Sequence, residues 1–179
     1  GRVAVSIGIP KREVPAIVTR AQGDVHPEGN PHVWLDPMRA KLLAENVTNA
    51  LKAISPQDSS YFDSRLRGFQ QRIDKAVFGD ELIALVGSQK LTRLALDGRL
   101  HEFLASNDYG GKKLSDLAGG WLAKARPLQG QKVVEFHKVW TYFASSFGFQ
   151  LVGTIEEKPG IAPGPRHVSD TIDLVKREG

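Results

Sequence analysis

Apolar positions along the chain change period several times, and each change predicts an element. Residues 3–9, Val-Ala-Val-Ser-Ile-Gly-Ile, read as a short strand that stops at Pro10. From Pro10 to Pro31 no helical period survives among the Pro, Gly, Asp and Glu residues, which predicts a long loop of the kind that is usually functional or disordered. Asp36-Pro37 then reads as a helix start, a capping carboxylate before a proline tolerated in the first turn. Leu43, Val47, Leu51 and Ile54 follow at spacings of four, four and three, on one face. Ser55-Pro56 repeats the start signal ahead of a second helix, at least 58–77, with the stripe Phe62, Leu66, Phe69, Ile73 and Val77. Residues 79–130 carry helical apolar positions broken at Gly110-Gly111 and Gly119-Gly120. A strand at 131–136 is followed by a helix at 138–147, with Trp140, Phe143 and Phe147 on one side and Gly148 at its C-terminal end. A strand at 150–155, a loop stiffened by Pro159, Pro163 and Pro165, and a helix at 168–176 complete the order. Strand, helix and strand on short connections follow parallel βαβ logic, so the fold class is α/β.

Composition narrows the function classes. At 179 residues, 41% hydrophobic and 25% charged, the chain suits one soluble domain. No run approaches the roughly 18 to 20 apolar residues of a bilayer span, and the opening residues do not have the pattern of a signal peptide. The absence of cysteine removes disulfides, thiolate metal sites and cysteine nucleophiles together, and fits periplasm and cytosol equally. Lys and Arg number 24 against 20 Asp and Glu, a formal charge of +4. These basic residues are scattered beside acids with no interleaved aromatics, so nucleic acid is not an expected partner.

The candidate chemistry lies in histidines. His32 ends the long loop, just before a capped helix and behind a stiffening Pro31. His137 ends the 131–136 strand, where ligands sit in open parallel α/β sheets. His-Glu-x-x-His, Gly-x-Ser-x-Gly and a phosphate-cradling glycine loop are all missing, and no evident general base or nucleophile accompanies the histidines. That pattern predicts a binding protein, not an enzyme. His26 is an auxiliary candidate in the loop, while His101 reads as solvated and His167 as structural. Trp34 and Trp140 are expected to pack the interior near the site, and the sequon Asn46-Val47-Thr48 falls inside a helix and reads as chance.

The segment from Gly23 to Pro37, ending Gly29-Asn30-Pro31-His32-Val33-Trp34-Leu35-Asp36-Pro37, resembles the NPHxWLDP signature of the zinc and manganese solute-binding proteins that serve ABC importers. Further motifs follow in family order: the long helix from Tyr61, then Val134-Glu135-Phe136-His137-Lys138-Val139-Trp140, Phe147-Gly148-Phe149, Gly153-Thr154-Ile155-Glu156-Glu157-Lys158-Pro159, and Pro165-Arg166-His167. The resemblance covers about residues 1–78 and 130–179. It implies a two-lobed α/β metal solute-binding fold with a long joining helix, incomplete in this chain. The implied divisions are 1–56, a remnant of the N-terminal lobe with the metal-site loop; 57–78, the joining helix; 79–129, a helical insertion; and 130–179, the first half of the C-terminal lobe.

The same resemblance implies metal ligands at His32 and His137, with His26 as an entry or auxiliary ligand. The family's first ligand histidine and a late Asp ligand have no counterpart in this chain. Manganese-preferring relatives tend to carry Glu at the position of His137, and imidazole suits zinc, so zinc is expected and manganese is the alternative. The implied function is capture of the ion outside the inner membrane and its delivery to an ABC permease, in the periplasm or, in a Gram-positive host, from a lipid anchor. A metal-dependent hydrolase and a truncated structural or adhesive module are the rival readings. Apolar faces lacking the partners of a complete lobe predict self-association of the chain.

Overall fold

The computed structural model describes residues 2–16, 26–156 and 161–178. They form two compact units, one from residues 1–9 and 36–127, the other from 10–35 and 128–179. The units thus interleave along the chain, where the sequence reading divides it into four consecutive segments.

The first unit is helical. Helix α1, Pro37–Ile54, begins where Asp36 accepts the Met38 N–H through its side chain at 2.8 Å, and a buried Arg39 guanidinium closes on the other carboxylate oxygen. After a 3-10 turn at Pro56–Asp58, helix α2 runs over Ser59–Phe78. Helices α3 (Asp80–Val86), α4 (Ser88–Leu96) and α5 (Leu100–Ser106) follow. The Gly110-Gly111 break is the turn of a small antiparallel hairpin, β1 (Asp108–Tyr109) and β2 (Lys112–Lys113), leading into α6 (Leu114–Leu117) and α7 (Gly120–Ala125). The second glycine pair has a different cause. A Cβ at Gly79 would stand 2.7 Å from the Gly119 Cα, and one at Gly120 would stand 2.2 Å from the Ala76 carbonyl, so α7 meets the end of α2 backbone to backbone.

Two expectations change here. Residues 3–9 are not a strand: residues 5–8 turn, and the Val5 and Ile7 carbonyls that a ladder would use accept N–H bonds from the Asn46 side chain at 2.7 and 2.9 Å. The apolar stripe of α1 is not its buried face either. Val47, Leu51 and Ile54 are 41%, 40% and 76% exposed, while Met38, Lys41 and Thr48 are buried. Polar pairs fasten α1 to α2: Lys41 to Asp74, Glu45 to Gln70 and Lys52 to Asp63. By contrast Phe62, Leu66, Phe69 and Ile73 on α2 are half-buried and Val77 is buried, as its stripe predicts.

The second unit carries the βαβ element. Strand β3 (Lys132–Glu135) pairs in parallel with β4 (Gln150–Thr154), from Lys132 opposite Gln150 to Glu135 opposite Thr154, with an irregularity at Val133/Val134. Helix α8 (Thr141–Phe147) connects them, buries Tyr142, Ala144 and Phe147, and ends at Gly148 in the left-handed conformation, φ 79°. It begins three residues later than expected, because the N–H groups of Val139 and Trp140 are taken by the Glu135 carboxylate. Helix α9, Pro165–Glu178, starts three residues earlier than its apolar period suggests, with proline in its first turn. Gly153 admits it to the sheet, since a Cβ there would stand 2.7 Å from Leu174. No described helix is long and apolar enough to cross a membrane.

Candidate metal-binding site

His26, His32 and His137 all belong to the second unit. His32 precedes a 3-10 turn, Val33–Leu35, that turns Val33 into the core at 2% exposure and leaves Trp34 outside at 58%. The expectation of an interior Trp34 is therefore corrected: its ring meets His32 edge-on at 5.3 Å, and Trp140 is likewise exposed. Asn30, 7% exposed, accepts the His32 backbone N–H at 3.0 Å and faces the His32 ring Nδ1 at 2.8 Å through the same oxygen. A backbone N–H only donates, so the amide atom it meets is the oxygen, and Nδ1 must donate to it. In that tautomer Nε2 of His32 carries the lone pair.

His137 sits in the turn between β3 and α8, its side chain 40% exposed. The turn is set by Glu135, 6% exposed, whose Oε2 accepts Val139 N–H at 3.0 Å and Trp140 N–H at 2.9 Å. Burial pushes the Glu135 carboxyl above its ordinary pKa of 4.5, against the lowering effect of those two N–H bonds. The His137 ring pairs through Nδ1 with Oε2 of the nearly buried Glu156, and the Phe136 ring stands edge-on to it at 4.7 Å. Nδ1 of each candidate ligand thus stands against a protein oxygen, hydrogen-bonded to Asn30 in His32 and in a close pair with Glu156 in His137, and a partner on one ring nitrogen orients an imidazole.

The remaining histidines are placed differently. His26 is exposed, and its carbonyl accepts the Gly29 N–H at 2.9 Å. Glu28 beside it is ion-paired to Lys11 at 2.7 Å, which holds its pKa below the ordinary carboxylate value. His167 engages the Thr154 carbonyl through Nε2 at 2.9 Å, and His101 belongs to the other unit. Among the described residues no three His, Cys, Asp or Glu side chains form a group able to hold an ion.

Residues 2–77 match the family model described as "Zinc-uptake complex component A periplasmic". Two curated relatives are high-affinity zinc uptake system proteins ZnuA. That of Brucella abortus is 21% identical over 83% of this chain and 32% of its own length; that of Yersinia pestis is 24% identical over 80% and 32%. Among solved structures, a crystal structure of ZnuA superposes with TM-score 0.58 at 18% identity, over 98% of this chain and 48% of that one. The AdcAII protein of Streptococcus pneumoniae gives 0.56 at 19% identity, over 97% and 47%. The chain has the α/β fold of these solved structures, and it spans about a third of the curated relatives' length and about half that of the solved chains.

Sequence reasoning singles out His32 and His137 but misses Asn30 and Glu156 beside their rings, and Glu135, which shapes the turn that carries His137. Asn30 is two residues from His32, a spacing that lets a side-chain amide reach a nearby backbone N–H, so a local signal for it existed. Glu156 follows the end of β4, and only the parallel pairing of β3 with β4 brings it to His137.

Proposed function

We propose that this chain acts in an extracytoplasmic solute-binding component of an ABC importer that captures a divalent transition metal and delivers it to the membrane permease. Zinc is favoured over manganese, because the donors offered are imidazoles. His32 and His137 are the proposed ligands, with His26 recruited from the loop. The observation that carries this reading is the placement of Nδ1 of each ring against a protein oxygen, Asn30 Oδ1 for His32 and Glu156 Oε2 for His137. The names of the relatives support the cargo, and the periplasmic description of the matching family model supports a location outside the inner membrane, in the periplasm or on a lipid anchor.

A tetrahedral zinc site uses about four ligands, and two or three imidazoles make a weak one. Competition against a chromophoric chelator is expected to show weak zinc binding by this chain and near loss of it in His137→Ala and His32→Ala. Coordination needs neutral imidazole, whose ordinary pKa is about 6.5, so binding should fall as the solution is acidified below neutrality. Tight zinc binding indifferent to both substitutions would place the site elsewhere and overturn the assignment. The exposed apolar faces of α1 and α9 support self-association of this chain.

A further inference from the structure

We propose that Asn30 is the positioning residue of this centre: it selects the ring nitrogen that His32 offers to an ion and ties the His32 loop to the turn carrying His137. The inference rests on the functional reading above for the identity of the ion. Its structural part does not depend on any ion being bound.

Asn30 joins three stretches of chain that are far apart in sequence. Its backbone N–H donates to the Arg12 carbonyl at 2.8 Å, and its own carbonyl accepts the Tyr142 hydroxyl at 2.6 Å. The side-chain oxygen is engaged by His32 through both backbone N–H and Nδ1. The side-chain nitrogen donates to Glu13 Oε2 at 2.9 Å and lies 3.5 Å from the Lys138 carbonyl and 3.4 Å from the Thr141 hydroxyl. Lys138 is the neighbour of His137. One buried amide thus accepts from one candidate ligand and donates beside the other. An amide is needed for both roles at once, since its oxygen only accepts and its nitrogen only donates. Asp keeps the acceptor for His32 but loses the donor and adds a charge beside Glu13. Ala loses both.

The test reads the ring directly. Long-range proton–nitrogen correlation spectra of the metal-free, 15N-labelled chain above pH 8 report which nitrogen of each neutral imidazole carries the proton, with His32→Gln used to assign the His32 signals. His32 in the native chain is expected in the Nδ1–H form and His167, which donates Nε2–H to Thr154, in the opposite form. Asn30→Asp should keep the Nδ1–H form, whereas Asn30→Ala should shift His32 toward Nε2–H while His167 is unmoved. Zinc affinity, measured against the chelator, should fall by about 10- to 100-fold in Asn30→Ala, the usual effect of removing such a partner, and by less in Asn30→Asp.

An Nε2–H form of His32 in the native chain overturns the proposal, as does Asn30→Ala with an unchanged ring. Should Asn30→Ala fail to give a dispersed spectrum, the native tautomer and the Asn30→Asp spectrum decide the matter alone. A native chain with the expected tautomer but no zinc binding overturns the metal reading and leaves the positioning of His32 standing.

Discussion

At neutral pH the Glu135 carboxylate is almost out of solvent yet serves two backbone donors, and burial holds its pKa above 4.5. A carboxyl whose pKa is raised on folding favours the folded state while protonated. Its contribution is therefore full below 4.5 and is lost as the pH rises through the elevated value. Replacing it with Gln keeps an oxygen for Val139 and Trp140 and removes the charge, so the melting temperature of Glu135→Gln should vary less between pH 4 and 7 than that of the native chain. Glu135→Ala strands the two N–H groups, and urea unfolding at pH 7 should show a loss of about 1–3 kcal/mol. Equal pH profiles for the native chain and the Gln variant would contradict the assignment. At this scale the places of His32 and His137 in the fold were legible because their sequence contexts are local, a loop end before a cap and a strand end before a helix. Their partners were only partly so: Glu156 reaches His137 through a strand pairing no local pattern encodes.

Helices show where periodicity informs and where it misleads. The span of α1 followed from the Asp36 cap and the apolar repeat, but the repeat marked the exposed face, because α1 meets α2 through charged and amide side chains. A hydrophobic count cannot see that Lys41 and Asp74 are each other's buried partner, joined at 2.6 Å with Thr92 completing the contact. Removing one member strands the other, so Lys41→Ala or Asp74→Ala should each destabilise by about 3–5 kcal/mol, while the paired change to Met and Leu should cost markedly less. Denaturant titration of the three variants gives the comparison, and equal losses in single and double variants would refute the coupling. Gly120→Ala should cost more than about 1 kcal/mol, since φ is +55° and the new methyl meets the Ala76 carbonyl. The glycine pairs were recognisable as breaks, but that one forms a hairpin and the other a close helix contact is a tertiary fact.

For the molecule as a whole, the exposed stripes Val47, Leu51 and Ile54 on α1 and Val168, Ile172 and Val175 on α9 are the surfaces of the self-association proposed above. Light scattering should give a mass above 19.6 kDa that falls in Leu51→Glu or Ile172→Glu. A monomer at every concentration, unchanged by either substitution, would count against this.

The interleaved units also carry a consequence in time. The first unit contains the unbroken stretch 36–127, whereas the second unit needs residues 10–35 to find 128–179. His32 precedes His137 by 105 residues, which a ribosome takes about 5–20 s to add at ~5–20 residues per second. Throughout that interval Asn30 has neither Tyr142 nor Lys138 to hold, so the His32 loop emerges early and stays unset until β3 and α8 arrive. The junction of the His32 loop with the β3–α8 turn is thus a late product of synthesis, and a chain halted anywhere before residue 137 carries that loop without its Tyr142 contact.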